Sequence, residues 1–377
     1  MVHGFEYGGL ERCVANLVNH LDPQEFEPHI VSLTRLGEAQ QWVEVSHVQF
    51  AELGKSAGND LGVYKKLSNY LKAKQIHLVH SHNWGTLMEA SLACRWRQIP
   101  FVHAEHGLDF GRTAQGGKGW VRQSLKRWAM RQSACLIPIA RCVERNLREV
   151  VGRSSTRIEL IPNGIGVPEG LSDASFREEA RGLFGIPTGS VVFGTVGRLS
   201  HVKGYDIAIE AMNILIKRGC DCHMLLVGDG PERGKLESMI TRYGLTGQVH
   251  FAGSQKRIGA WMNVMDVFFN SSRSEAMNLS ILEAMAAGLP IVAVDVGDNR
   301  RMVEGAEPVG VAVEPGNVQQ FADKLWEVAG DAQSRIRFGR TGRLAYERHY
   351  TLGHMALRYS SLYHRVLGSL EGFRAPE

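Results

Sequence analysis

The sequence predicts an α/β protein of two domains, each built on a parallel sheet. Three observations carry that prediction. The chain has 377 residues, enough for two cores of ordinary size. Short apolar runs alternate with segments of helical spacing, the pattern of a parallel sheet with right-handed crossovers. The alternation breaks at a turn signal, Asn163-Gly164, and restarts at Val191. Composition narrows the function classes. A formal net charge of +4 is too small to imply nucleic-acid binding. No stretch approaches the roughly 18 uninterrupted apolar residues of a membrane span, and no apolar leader core stands near Met1, so a cytoplasmic protein is expected. Cys13, Cys94, Cys135, Cys142, Cys220 and Cys222 lack the spacing of a zinc site or a disulfide framework and read as reduced thiols. Cys220-Asp-Cys222-His223 runs straight into an apolar segment and reads as strand rather than as a metal site.

In chain order, Gly8 and Gly9 of Tyr7-Gly-Gly-Leu-Glu-Arg12 open a helix carried by Val14, Leu17, Val18 and Leu21. Glycines there let a backbone approach a phosphate or sugar, and the helix N-terminus behind them favours negative charge. Only Met1-Val-His3 remains for a strand before them. Strands are expected over 29–33, 77–80, 101–104, 134–139 and 157–165, with helices over 61–72 and 86–96. His80-Ser-His82 and His103-Ala-Glu-His106-Gly107 then fall at strand ends, where sites in such sheets lie. No third ligand at suitable spacing supports a metal. The run 112–141 has seven Lys or Arg and no acid. Within it Trp120, Val121, Leu125, Trp128 and Ala129 share a helical face beside Arg122, Lys126, Arg127 and Arg131. That pattern fits an anionic membrane surface, or a helix packed on its own sheet with a basic back.

In the second half an apolar strand from Val191 ends in Gly197-Arg198-Leu-Ser-His-Val-Lys203-Gly204, before a helix over 205–215. A guanidinium and an ammonium on such a loop make a diphosphate clamp, since arginine binds phosphate bidentately and lysine supplies a point charge. Strands follow over 224–227, 249–253 (ending at Gly253), 266–270 and 311–313, with helices over 317–328, 333–348 and 354–367. The central stretch is 274–295. Leu279, Ile281, Leu282, Met285 and Ala286 have helical spacing, Gly288 suits the left-handed position after a helix, Pro290 stops it, and 291–294 form a strand. Glu275 lies in the preceding loop and Glu283 in the helix, at most roughly 12 Å apart at a helical rise. Between them the first-turn N–H groups around Asn278, Leu279 and Ser280 make an anion site. Acid, anion site, acid is the order that suits hexose hydroxyls, diphosphate and ribose hydroxyls.

Glu275 and Glu283 resemble the E-x7-E signature of retaining glycosyltransferases of family 4, whose GT-B fold has two Rossmann-like domains facing across a cleft. Ile161-Pro-Asn-Gly164, Gly197-Arg-Leu-x3-Lys203-Gly204, His106-Gly107 and the G-G-L-E-R loop resemble the same family, so the similarity runs through most of the chain. It implies an acceptor-side domain over 1–167, a nucleotide-sugar domain over 168–350, and a last segment, 351–377, whose helix crosses back; Tyr359-x3-Tyr363 suits that crossing. By resemblance Arg198 and Lys203 hold the diphosphate, Glu283 binds ribose, Glu275 binds donor-sugar hydroxyls, and His106 meets the sugar from the other domain. Gly253 lies by the base, and Asp109 and Arg112 face the acceptor. Asp298 stands where the family usually has glycine. The implied activity is retaining transfer from a nucleoside-diphosphate sugar to an acceptor hydroxyl, without metal or cofactor, by front-face displacement. The N-terminal half is similar to bacterial members that assemble exopolysaccharide or surface glycans, which implies a saccharide or lipid-linked saccharide acceptor at the inner face of the cell membrane. Three alternatives stand beside it. One is a sugar-nucleotide 2-epimerase of the same fold. Another is a nicotinamide-dependent dehydrogenase, suggested by Gly228-x-Gly230-x3-Gly234 but weakened by Pro231 and by the lack of an acid ending the next strand. The third is a non-catalytic sugar-nucleotide-binding protein.

Overall fold

The computed structural model describes residues 1–58, 60–107, 117–173 and 175–371. They form two units: Met1–Gly164 together with the chain from Leu352 on, and Ile165–Thr351. The first unit runs α1 (Gly9–His20), β1 (His29–Ser32), β2 (Gln49–Glu52), α2 (Leu61–Ala73), β3 (Val79–His82), α3 (Trp84–Arg97), β4 (Phe101–Glu105), α4 (Gly117–Arg131), β5 (Cys135–Pro138), α5 (Arg141–Val151) and β6 (Arg157–Ile158). β3, β4, β5 and β6 pair in that order, all parallel, and β1 pairs with β2. The N-terminal residues join the two sheets. The Val2 N–H donates to Val31 O at 3.0 Å and the Leu33 N–H to Val2 O, while on the other side the Met1 amine donates to His80 O at 2.7 Å and the His82 N–H to Met1 O. The short strand expected from Met1 to His3 is this link.

Strand β3 begins two residues later than expected. The Ile76 N–H still bonds back to Leu71 O and Gln75 takes a left-handed conformation, so the chain is closing α2 where a strand was anticipated. The shift draws His82 out of the loop and into the sheet, where it is buried. The expected strand over 157–165 is also shorter, because only Arg157 and Ile158 pair with β5.

The second unit runs α6 (Phe176–Leu183), β7 (Val191–Val196), α7 (Tyr205–Lys217), β8 (Cys222–Val227), α8 (Arg233–Tyr243), β9 (Val249–Gly253), α9 (Ile258–Val264), β10 (Val267–Asn270), α10 (Leu279–Ala287), β11 (Ile291–Val294), α11 (Asn299–Val303), β12 (Gly310–Val313), α12 (Val318–Gly330) and α13 (Ala332–His349). Its six strands are parallel in the order β12-β11-β10-β7-β8-β9. The apolar runs are continuous because both faces of the sheet are covered, and successive residues are shared between two cores. Phe193, Met224, Leu226, Phe269 and Val292 enter the core with α7, α8 and α12. Val192, Leu225, Val227, Phe268 and Ile291 enter the core with α9, α10 and Tyr346. The last helix, α14 (Leu352–Glu371), belongs to the first unit, where Met355, Tyr359, Leu362, Tyr363 and Val366 pack on Val102, Ala104, Cys135 and Ile137.

Candidate active site

In the second unit the candidate residues gather at the carboxyl edge of the sheet, around the ends of β7 and β10. After β7 the chain makes a single 3-10 turn, His201–Lys203, closed by Gly204 at φ 63°. No other residue fits there, since a Cβ on Gly204 would lie 2.1 Å from Ser271 O. Ser271 Oγ donates to Lys203 O at 3.0 Å and the Arg273 N–H to Val202 O, so the basic loop is laced to the loop that carries Glu275. Arg273 also forks onto Asp206 at 2.6 and 2.8 Å. The lacing brings Lys203 Nζ to 2.6 Å from Glu275 Oε1. Arg198 is exposed, and its guanidinium has no hydrogen-bond partner among the described residues.

Glu275 is held by more than Lys203. Ser272 Oγ donates to the same oxygen, Oε1, at 2.7 Å, and Asn278 Nδ2 does so at 3.3 Å. Behind them runs a buried amide chain: Asn299 Nδ2 donates to Asn270 Oδ1 at 2.9 Å, and Asn270 Nδ2 to Ser272 Oγ at 3.0 Å. Ser272, Asn270 and Asn299 were not singled out from the sequence. The signal was a polar Asn-Ser-Ser run following the apolar strand Val267–Asn270, a place where unpaired polar groups are costly. Asn278 caps α10 with its Oδ1 accepting from the Ser280 N–H at 2.9 Å, and the Ile281 N–H bonds Asn278 O. This corrects the expected anion site, because two of the first-turn N–H groups already have partners and the free end of the helix narrows to the backbone around Asn278 and Leu279. Glu283 is half-buried one turn further along α10.

Asp298 fits without strain. Its φ of −101° is open to any L-residue, so the turn does not need the glycine usual there. Gly228 and Gly230 serve a purpose other than dinucleotide binding. A Cβ on Gly228 would lie 2.0 Å from Gly197 O, and one on Gly230 would lie 2.4 Å from Leu199 O, so both are there to let the β8 loop pack on the β7 loop. Gly234, the third glycine of that pattern, faces open space. Gly253 ends β9 at φ 71°, and its carbonyl accepts from the Gly228 N–H at 2.8 Å.

In the first unit Gly8 caps α1 in an extended conformation and Gly9 is its first residue. His106 follows β4. Its ring Nε2 lies 3.1 Å from His82 Nδ1, and its backbone N–H donates to Asn83 Oδ1 at 2.8 Å. Asn83 carries φ 56° and ψ 168°, a conformation rare outside glycine and costing about 1–3 kcal/mol, and is held there by its N–H bond to Ala104 O. Burial, then His103, lowers His106 to about 4, so it is neutral at pH 7. Burial likewise takes His80 and His82 well below the usual histidine value. His103 belongs to a separate pair of contacts, to Ser81 Oγ at 2.9 Å and Glu105 Oε2 at 3.4 Å. Asp109 and Arg112 lie outside the described residues. Among the described residues no group of three or more His, Cys, Asp or Glu is arranged to hold a metal ion. Cys222 opens β8 and is buried, as a strand residue.

Two parallel-sheet units, one with a basic loop and a helix N-terminus at a strand edge, are the architecture of the GT-B fold. HepE of Anabaena, solved with UDP and with UDP-glucose, shares that fold: the UDP complex matches with a TM-score of 0.80 at 20% identity, over 97% of this chain and 99% of that one. Residues 7–167 match the family described as Glycosyltransferase Family 4, and residues 176–345 the family described as Glycosyl transferases group 1. The chain is a glycosyltransferase with a family 4 N-terminal half and a group 1 C-terminal half. The 2-deoxystreptamine glucosyltransferase of Streptomyces kanamyceticus is 31% identical over 248 residues, 65% of this chain and 64% of that protein, so the match spans less than two thirds of it. The UDP-Gal:alpha-D-GlcNAc-diphosphoundecaprenol alpha-1,3-galactosyltransferase of Escherichia coli is 27% identical over 273 residues, 70% of this chain and 69% of that protein.

Proposed function

We propose that this glycosyltransferase moves a sugar, with retention of anomeric configuration, from a nucleoside-diphosphate sugar to the hydroxyl of a saccharide or lipid-linked saccharide in exopolysaccharide or surface-glycan assembly. The observation that carries the reading is the meeting of Lys203, Glu275 and the start of α10, with Arg198 on the same loop. Two cations and a helix end suit a diphosphate, and they offset the charge that grows on it as it leaves. The neighbouring carboxylate suits sugar hydroxyls. The described groups offer no positioned nucleophile. Glu275 is tied up by three donors to one oxygen, and His106 is a neutral hydrogen-bonding group. In the front-face route the acceptor O–C1 bond forms as the C1–O(phosphate) bond breaks on the same side, and the acceptor proton passes to the leaving phosphate. The relatives' names support donor and acceptor alike, one carrying UDP-Gal and a diphosphoundecaprenol-linked sugar. The test is nucleotide release from a panel of sugar nucleotides with and without acceptor, with the product anomer read by NMR. Release is expected to depend on acceptor and to survive EDTA, because Arg198 and Lys203 supply the positive charge. Activity abolished by EDTA and restored by manganese would overturn the metal-free assignment, and an inverted anomer the retaining one.

The reading extends to an anionic membrane surface that brings the enzyme to its acceptor. On α4 Trp120, Val121, Leu125 and Trp128 are exposed, and on neighbouring α3 so are Leu92 and Trp96; Trp96 and Trp120 are 72% and 73% exposed. The one acid on these two helices, Glu89, is buried against Lys55. Tryptophan beside arginine is the composition of an interfacial helix. The expected face needs correction at four residues. Ala129 is core, and Lys126 is buried with its ammonium over the Trp84 ring. Arg127 and Arg131 bind Val150 O and Val151 O at the end of α5. No helix of the described residues is long and apolar enough to cross a membrane. Sedimentation with vesicles rich in anionic lipid is expected to exceed that with neutral ones at low salt. It should fall about fivefold on removing one charge with Arg122→Gln, and further with Trp96→Ser and Trp120→Ser. Equal binding to both vesicle types would refute it.

A further inference from the structure

We propose that His82 is a positioning residue that fixes the tautomer and ring orientation of His106, so that His106 offers the donor one nitrogen of defined character. The inference rests on the reading above that His106 meets the donor sugar. The two rings share one hydrogen bond, His82 Nδ1 to His106 Nε2 at 3.1 Å. Only one of these nitrogens bears a proton. If His82 donates, the proton of neutral His106 sits on its other nitrogen, Nδ1; if His82 accepts, that nitrogen presents a lone pair. The tautomer of the buried ring thus dictates what the half-buried ring shows outward.

His82 is well placed to impose that choice, because it is itself fixed. Its N–H donates to Thr86 Oγ1 at 3.0 Å and its carbonyl accepts from the same hydroxyl at 2.8 Å. Its ring lies against His80 at 4.0 Å between centroids, and His80 is held in turn by the Tyr363 hydroxyl at 2.8 Å. Asn83, the next residue, fixes the His106 backbone through its Oδ1. Ring and main chain of His106 are therefore set by two consecutive residues of one strand end. The titratable groups around the pair are the Met1 amine, His80, His103, Glu105, Tyr359 and Tyr363. Burial keeps both rings neutral, which is the condition for a shared proton.

The experiment is ring-15N NMR of the full chain with labelled histidine, together with steady-state kinetics and calorimetric titration of nucleoside diphosphate. In the wild type His106 is expected as a single neutral tautomer between pH 6 and 8. In His82→Leu it should become a mixture, and kcat/KM for intact donor should fall about tenfold, the scale of one hydrogen bond, with nucleoside-diphosphate affinity unchanged. His82→Asn, which keeps an amide nitrogen where Nδ1 stood, should restore most of the loss. If the leucine variant does not fold, His82→Gln, whose amide is displaced from that point, is compared with His82→Asn instead. An unchanged His106 spectrum in the variant, or no rescue by asparagine, overturns the proposal. A wild type that neither binds nucleotide nor transfers sugar would overturn the functional reading, while the ring spectra would still decide the pairing.

Discussion

Lys203→Ala is expected to weaken nucleoside-diphosphate binding by about ten- to a hundredfold, the scale of a charge-assisted contact worth roughly 1.5–3 kcal/mol. Glu275→Ala is expected to do the reverse of what an ordinary site residue does, leaving that affinity intact or raising it while intact donor binds and reacts poorly. The reason is the 2.6 Å contact between them. The ammonium faces a choice between the carboxylate and the diphosphate, and deleting the carboxylate removes the competitor. Calorimetric titration of nucleoside diphosphate and of intact donor against both variants and the double variant measures this, with circular dichroism as the fold check. Equal losses for both ligands in Glu275→Ala would mean that Glu275 serves the diphosphate end and not the sugar. No loss in any variant would remove the nucleotide-sugar reading altogether.

Asp266→Ala is expected to destabilise the second unit by about 3 kcal/mol without touching nucleotide affinity. Asp266 precedes β10 and gathers Arg177 at 2.6 Å, Arg181 at 2.8 Å and the Val192 N–H at 2.8 Å, joining α6 to two central strands. Arg181 is largely buried, and its Nε has no partner among the described residues even with Asp266 present. Losing the carboxylate leaves that guanidinium without its counter-charge, on the Ser190 and Val264 carbonyls at 3.2 Å alone. The midpoint of thermal unfolding should drop by about 6–12 °C for a unit of this size. Asp266 stands at the amino end of its strand, the opposite edge from Glu275, so titration below the melting range should give wild-type affinity. A drop under about 2 °C would show that the arginines find other partners.

What could be read in advance followed pattern strength. The four- and six-stranded sheets and helices α7, α10, α12 and α13 were legible because buried parallel strands are continuous apolar runs and these helices have clear periodicity, whereas α8, α9 and α11 were not anticipated. β2 was not, since Gln49-Phe-Ala-Glu52 is only partly buried and reads as loop. In the site, Lys203 and Glu275 were legible as charges on a loop, but not as a pair, because the contact depends on the lacing of Ser271 and Arg273 across 67 to 72 positions of chain. The Asn299–Asn270–Ser272 chain was hidden for the same reason: each amide looks like an ordinary loop residue until folding brings three segments together. His82 was legible as a histidine at a strand end. Its burial was not, because that followed from a two-residue shift set by how α2 closes.

The placement of α14 bears on the order in which the protein comes into being. The second unit is one uninterrupted stretch, Ile165–Thr351, and every residue it needs has been synthesised once Thr351 is made. The first unit begins the chain yet lacks Met355, Tyr359, Leu362, Tyr363 and Val366 until translation has passed α14. Until then one face of its parallel sheet, with Val102, Ala104 and Ile137, is covered only in part, by Leu17, Leu21 and Phe26. Where the N-terminal part of a chain usually folds first during synthesis, the opening unit here has its core residues complete only after the second unit has its own. The second unit has every residue of its core while α14, the piece that completes the opening unit, is still to be made.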